Sequence, residues 1–431
     1  MTGHAKDHTA DRTTDQAHER EHERATVCVA GGGPAGAVLG LLLARSGIDV
    51  VVLEKHGDFL RDFRGDTIHP STLDVLDEIG LGDRFERLDH HKVGGLDVLT
   101  ADGEFSVADL GELRGRHPYI AMVPQWDFLT MITQAAAELP GFRLLMEAEA
   151  TGLLRAGGRV TGVRYRDAAG DEHEIRAELT VAADGRHSTL RRAAGLPVRD
   201  LGAPMDVAWF RLPREPGDHE NAFLRPGAGR LMALLNRGTY WQIAYVIPKG
   251  GWARVRDRGV EALRADIAEL LPSMADRARR LELDEVSVLD VRVDRLRRWY
   301  RPGLLCIGDA AHAMSPIGGV GINLAVQDAV AAANRIVPAL HESGTVGTAD
   351  LAAVQRRRTP PTMAVQAFQV LAQRFVIERV LRGRAIAPGA MARAGSVPAV
   401  QRLLSRMVGY GPLPEHVRTP VARAEPVPVP S

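Results

Sequence analysis

The sequence predicts an α/β protein: a Rossmann-like domain with a mostly parallel sheet, an antiparallel β-sheet domain beside it, and helices at the C-terminal end. Three observations carry that prediction. Two wholly apolar runs, ending at Ala30 and Leu53, bracket a glycine turn and a helical stretch, as the strands of a sheet covered on both faces do. Between residues 196 and 283 the texture changes to long alternating strands carrying several aromatics. From 346 onward, helical stretches are separated by proline-rich breaks.

The composition narrows the class. At 431 residues the chain exceeds the usual size of a single core, so more than one domain is expected. Lys plus Arg (54) cancels Asp plus Glu (54), leaving no global field to favour nucleic acid or an anionic membrane. The two cysteines, Cys28 and Cys306, stand in apolar strand-like runs and read as buried thiols in a reducing, cytoplasmic setting. The uncharged stretch from Ala25 to Ala44 resembles a membrane span, but Gly31-Gly32-Gly33-Pro34 would break a spanning helix, so no span is read. The preceding leader is rich in acids, unlike the basic start of a signal peptide.

Residues 1–24 have almost no side chain able to enter a core and read as a disordered tail. The first part of the dinucleotide domain spans 25–195. It opens with a strand over 26–30, a helix from Pro34 to Ser46 and a strand over 49–53. A helix over 71–79 follows, with Ser71 as its cap and Asp74 completing a capping-box pattern. Segments 96–100 and 105–110 flank a turn and read as a hairpin, near 94–116, that joins the second domain. A helix over 126–139 leads to an alternating set over 143–147, 150–156, 160–166 and 172–177. The run 180–183 then returns to the parallel sheet. The second domain spans 196–283, with strands over 207–212, 221–224, 230–236 and 240–248 and a helix over 260–271. Residues 284–345 rejoin the first domain through a strand over 304–307 and a helix over 322–340; 346–431 form the C-terminal helices and tail.

Gly31-x-Gly33-x-x-Gly36 lies between strand and helix, the context its chemistry requires. Gly31 permits the turn, Gly33 lets backbone approach a phosphate, and Gly36 allows close helix packing. Pro34 and Ala35 open the helix, whose N-terminal N–H groups attract an anion. Glu54, followed by Lys55, ends the second strand where a carboxylate accepts ribose hydroxyls. The motif binds a dinucleotide and by itself does not separate FAD from NAD.

Two later motifs stand in fixed order: Asp184-Gly185-Arg186-His187-Ser188-Thr189-Leu190-Arg191, then Gly308-Asp309-Ala310-Ala311-His312 with Pro316 and Gly318-Gly319-Val320-Gly321-Ile322-Asn323. With all three, the chain resembles the FAD-dependent aromatic hydroxylases, the single-component flavoprotein monooxygenases related to para-hydroxybenzoate hydroxylase. The resemblance covers roughly residues 26–340; Ala183 stands where the family often has Gly. It implies that the first domain binds FAD and the second holds substrate. Asp309, after Gly308, would bond ribityl or ribose hydroxyls. Gly319 and Gly321, with Pro316 before them and Ile322 behind, would turn backbone N–H groups to the flavin N1–O2 edge. Asn323 would hold the pyrimidine edge, Arg64 the phosphates and Gln125 the ribityl chain, while Asp184 would serve both FAD and pyridine nucleotide.

The resemblance further implies an NAD(P)H-using monooxygenase that hydroxylates an aromatic or polycyclic small molecule with O2 through a C4a-hydroperoxyflavin. Two other readings stay open: a flavin oxidoreductase without oxygen insertion, and a non-catalytic flavin-binding protein. No separate nicotinamide fold is visible, and no metal site is expected. The strand 240–245 alternates, so Tyr240, Gln242 and Ala244 share one face, taken to line the cavity with Gln242 nearest the substrate ring. His69 is a candidate base for deprotonating a phenol, against a reading in which it bonds backbone ahead of Pro70. Phe223 and Met232 are candidates for the cavity wall or the core.

Overall fold

A computed structural model describes residues 23–60, 66–100, 103–227, 229–384 and 397–422. Of the expected tail, only Glu23 and Arg24 fall among them, and both belong to the first strand, Glu23–Ala30. Pairing with Glu172–Ala182 extends that strand to Glu23, whose carboxylate also meets Arg143 Nη1 at 2.6 Å.

The first sheet runs in the order Tyr300–Arg301, Leu304–Cys306, Glu172–Ala182, Glu23–Ala30, Val50–Leu53, Phe142–Leu145. All neighbours from Leu304–Cys306 to Phe142–Leu145 are parallel. Phe142–Leu145 therefore leaves the antiparallel set expected for it and forms the edge of the parallel sheet. Glu149–Ala156 and Arg159–Arg166 make the antiparallel extension, and the two strands expected between 172 and 183 are one, Glu172–Ala182. Helix Pro34–Arg45 packs on this sheet with Ala35–Ala44 buried, and Gly321–Ser343 lies against it.

The second sheet runs Ser287–Leu289, Met205–Pro213, Tyr240–Pro248, Arg230–Asn236, Ala222–Gly227, Gly95–Thr100, Gly103–Asp109. The hairpin from the first domain adds itself to this sheet, with Gly95–Thr100 parallel to Ala222–Gly227. Helix Trp252–Leu270 backs one face; it is bent at Gly259 (φ 81°), which is why sequence periodicity located only its second half. Phe210, Phe223, Met232, Trp241, Ile243 and Tyr245 form the core between sheet and helix. Phe223 and Met232 are thus core residues, not cavity wall: their positions alternate onto the helix-backed face.

Helix Pro70–Glu78 begins one residue before the expected start, with His69 at its N-cap position and Pro70 in its first turn. Ser71 is consequently inside the helix and does not cap it; its hydroxyl donates to Asn323 Oδ1 at 2.7 Å. Thr348–Ala372 continues through Pro360 and Pro361 without the expected break and passes into the π-helical turn Gln373–Ile377. Helix Pro398–Gly409 straps both domains: Ser405 Oγ accepts from the Asp109 amide at 3.0 Å, and the Val408 carbonyl meets His69 Nδ1 at 2.7 Å. No helix among the described residues is long and apolar enough to cross a membrane.

Candidate active site

The glycine cradle is shaped by contacts no other residue would permit. Gly31 has φ 109°, and a Cβ there would lie 2.3 Å from the Ala183 carbonyl oxygen. A Cβ on Gly36 would lie 1.9 Å from the Gly31 carbonyl oxygen, so the helix can approach the turn only with glycine. A Cβ at Gly33, by contrast, would meet nothing within 4 Å. No side chain caps helix Pro34–Arg45, leaving its first N–H groups to face an anion on the open side. Glu54 closes the floor: Oε2 accepts from the Gly32 amide at 3.0 Å and Oε1 from the His56 amide at 3.2 Å. Lys55 is exposed beside it, and Arg64 lies outside the described residues.

The Asp-Gly and Gly-Asp turns meet next to this cradle. Burial pushes the Asp184 carboxyl above its usual range, opposed by hydrogen bonds from Ser188 and the Leu190 amide. Its Oδ1 is buried and receives no hydrogen bond among the described residues, an acceptor placed for a hydroxyl or amide. Gly308, at φ 58°, leads into Asp309, a third of whose side chain is exposed, with Arg186 Nη2 3.5 Å away.

Two residues outside the expected set hold these turns. Arg191 donates to the carbonyls of Arg186 (2.6 Å) and Ala310 (3.3 Å), joining one turn to the other. Asp328 is fully buried and accepts from the Gly308 amide (3.0 Å), His312 Nε2 (2.6 Å) and Arg358 Nε (2.9 Å). Burial opposes its charge, but His312 and Arg358 outweigh that and hold its pKa below the carboxylate range. The only sequence signal for Asp328 was an acid inside an apolar helix.

The second glycine loop leads from Pro316 through Gly318 (φ 79°) and Gly319 (φ 65°) into helix Gly321–Ser343. A Cβ on Gly319 would lie 2.7 Å from Thr67 Oγ1, which donates to the Gly319 carbonyl at 2.9 Å. This helix also starts without a side-chain cap, and Gly321 is open on its Cβ side, so a second row of N–H groups stands free for an anionic edge. Ile322 turns its side chain into the first-domain core, leaving only its backbone for a ligand. Asn323 Oδ1 is engaged by the hydroxyls of Ser71 and Thr72, both at 2.7 Å, because the helix opening at Pro70 packs against it.

His69 is also corrected. It is fully buried, its Nδ1 faces the Val408 carbonyl, and burial pushes its pKa down to about 4 against the Val408 and Gly319 carbonyls. The Nδ1 bond ties the ring to the C-terminal helix, as in the reading where His69 bonds backbone ahead of Pro70, while Nε2 is buried without a partner among the described residues. Sequence reasoning had no means of seeing Val408, more than three hundred residues away.

The other wall is the open face of the second sheet. Leu231 and Val246 on that face cluster with Leu224, Ile377, Val380 and Ile317, the last in the second glycine loop. This contact turns the face carrying Tyr240, Gln242 and Ala244 toward the loop. Gln242 is buried at its centre, opposite Arg211 on one neighbouring strand and Leu235 on the other. Tyr240 is half-buried, with the Arg211 guanidinium 4.9 Å from its ring centre. The buried pair Arg237–Asp66 (2.6 Å) joins the sheet turn to the first domain, and the Gln125 amide donates to Asp66 Oδ1 at 3.2 Å. Gln125 thereby opens helix Gln125–Ala137 at the corner of the site. Among the described residues, Asp97, Glu104 and His219 lie together at a ligand-like spacing, where they form ion pairs on the hairpin, with Glu104 Oε1 3.0 Å from His219 Nε2.

The paired uncapped helix ends, the open side of Gly33 and the buried Asp184 acceptor fit a long anionic dinucleotide with an aromatic head. Comparison with known proteins agrees. The FAD binding domain family matches residues 24–369. The 6-methylpretetramide 4-monooxygenase of Streptomyces rimosus is 33% identical over 396 residues, 91% of this chain and 94% of that protein. Protoasukamycin 4-monooxygenase of Streptomyces nodosus subsp. asukaensis is 26% identical over 348 residues, 77% of this chain and 84% of its own. Among solved structures, the OxyS anhydrotetracycline hydroxylase from Streptomyces rimosus superposes with a TM-score of 0.72 at 23% identity, covering 90% of this chain and 76% of that one; this likeness concerns the fold.

Proposed function

The chain belongs to the FAD-dependent aromatic hydroxylase family, and from that premise we propose that it inserts one oxygen atom from O2 into a polycyclic aromatic molecule, using NAD(P)H as reductant. The observation that carries this reading is the wide apolar sheet face set against the second glycine loop, in a chain whose relative of similar length is a 6-methylpretetramide 4-monooxygenase.

When bound, FAD supplies the redox chemistry, accepting hydride from NAD(P)H and activating O2. The protein's own part is binding, orientation and exclusion of water. The N–H groups opening helix Pro34–Arg45 hold the pyrophosphate, and Glu54 and Asp309 take ribose and ribityl hydroxyls. The uncapped N–H groups that open helix Gly321–Ser343 take the edge of the ring that gains negative charge on reduction, while the Gly319 amide is held by the Pro316 carbonyl at 3.0 Å and shapes the loop. Leu224, Ala233 and Leu235 close the site to water, while Gln242 and Tyr240 orient the substrate ring. With His69 neutral and engaged, ring activation falls to groups the substrate brings or to the Gln242–Arg211 edge. Two buried thiols and use of NAD(P)H suit a reducing cytoplasm.

The test is reconstitution with FAD, followed by NADH or NADPH oxidation with polycyclic phenols and labelled dioxygen. Substrate-stimulated oxidation with label in the product supports the proposal. Oxidation that yields only unlabelled product assigns the protein to flavin redox chemistry without insertion. A protein that retains no FAD overturns the reading altogether.

A further inference from the structure

The second sheet carries two tryptophans on opposite faces, and their indole N–H groups are treated differently. Trp241, on the helix-backed face, donates to Asp218 Oδ2 at 2.9 Å, and Asp218 is itself bound by Arg277. Trp209 lies on the other face, among Val207, Ala233, Leu235, Ala244 and Val291. It is 7% exposed, and its Nε1 meets no acceptor among the described residues. A buried indole N–H ordinarily finds a partner, since leaving the donor unmet forfeits its hydration without return.

The surroundings of Trp209 are shaped for a flat ring. The register places Trp209 opposite Ala244, Ala244 opposite Ala233, and Ala233 opposite Leu224, so one row crosses four strands on the same face. Strands are spaced about 4.8 Å apart, so Ala244 and Ala233 stand side by side between Trp209 and Leu224 and put the smallest side chains of the row next to the indole. This face is the one that meets Ile317 of the second glycine loop. We propose that Trp209 is a substrate-binding residue whose indole N–H donates to a ring-borne carbonyl or phenolic oxygen of a polycyclic substrate lying over Ala233 and Ala244. The inference rests on the hydroxylase reading above and adds a specificity contact to it: a ring system lacking that oxygen leaves the donor unmet and is discriminated against.

Trp209→Phe keeps the aromatic surface and removes only the donor. Trp299→Phe is the control, because Trp299 Nε1 is likewise buried without an acceptor but sits in the first domain beside His312. The probe is alizarin, a dihydroxyanthraquinone, titrated into the oxidised FAD-loaded protein and read by flavin fluorescence, a measurement that needs no turnover. Trp209→Phe is expected to weaken binding by about tenfold with unchanged FAD affinity, and Trp299→Phe to leave it unchanged. Equal binding by Trp209→Phe and the parent overturns the proposal, as does an equal loss in both variants or no binding by the parent. Failure of the hydroxylase reading shows separately, as absence of label in the product.

Discussion

The cofactor cradle and the substrate sheet obtain their shape in opposite ways. In the cradle, few residues close in sequence do most of the work: Gly31, Gly33 and Gly36 serve through the absence of a side chain, and Glu54 bonds the amides of Gly32 and His56. In the sheet, successive strands between Met205 and Pro248 make the surface, and each residue's role depends on the face it occupies and on the distant segments packed against that face. Phe223 and Met232 are as apolar as Leu224 and Ala233, yet the first two are core and the second two face the glycine loop or its flank. A local motif can be read from spacing, whereas a face is defined only once something packs against one side of it.

Four measurements break or sharpen this contrast. Gly31→Ala has the largest expected effect: both the positive φ and the Ala183 carbonyl 2.3 Å from the new Cβ oppose it. Such a clash costs roughly 3 kcal/mol or more, and the purified variant should carry no FAD chromophore. Retention of the parent's flavin spectrum would show that the cradle tolerates a side chain. Next, Met232→Ala and Ala244→Leu test the two faces. Removing the buried Met232 should cost about 2–5 kcal/mol of thermal stability with little change in KM. Ala244→Leu should raise KM for a polycyclic substrate, with a stability cost of roughly 1–3 kcal/mol from overpacking a buried position, and an unchanged KM would mean the substrate does not use this face.

The third measurement concerns His69, whose pKa of about 4 lies below the ordinary value of 6.5. A neutral buried histidine binds fewer protons than the unfolded chain between these values, so stability is lost as pH falls from 6.5 toward 4. The contribution is on the order of 3 kcal/mol, and a His69→Gln variant should show a flatter acid limb in thermal melts. An identical pH profile in the variant would remove His69 as the cause. The smallest effect belongs to Lys55→Ala: the side chain is exposed, and stability should move by less than about 0.5 kcal/mol. A large loss of FAD affinity in an equilibrium titration would instead make Lys55 part of the cradle.

The same contrast explains what could be read in advance. The three motifs, the strand–turn–helix–strand unit that sets Glu23–Ala30 parallel to Val50–Leu53, the hairpin itself and the alternation of Tyr240, Gln242 and Ala244 were legible from short-range spacing, whereas the strand the hairpin pairs with, Ala222–Gly227, shows only in the fold. Phe142–Leu145 was assigned to the wrong partners because an apolar four-residue strand carries no mark of the strand it will join. Ser71 was taken for a cap because its sequence context fits one, but Pro70 begins the helix earlier and Asn323 receives the hydroxyl. Asp328 escaped notice because its partners, Gly308, His312 and Arg358, stand in other segments.

By itself the sequence determined a glycine cradle of the dinucleotide-binding kind, two further turns whose order carries the family resemblance, and an alternating sheet beside them. Glycine spacing and strand periodicity express local backbone sterics, which act wherever the chain goes. Only the tertiary structure decided that His69 is tied to Val408, that Phe223 and Met232 fill a core, and that Trp209 keeps an unmet donor on the face toward the second glycine loop. Burial and hydrogen-bond satisfaction are properties of surroundings, and those surroundings come together only when distant segments pack.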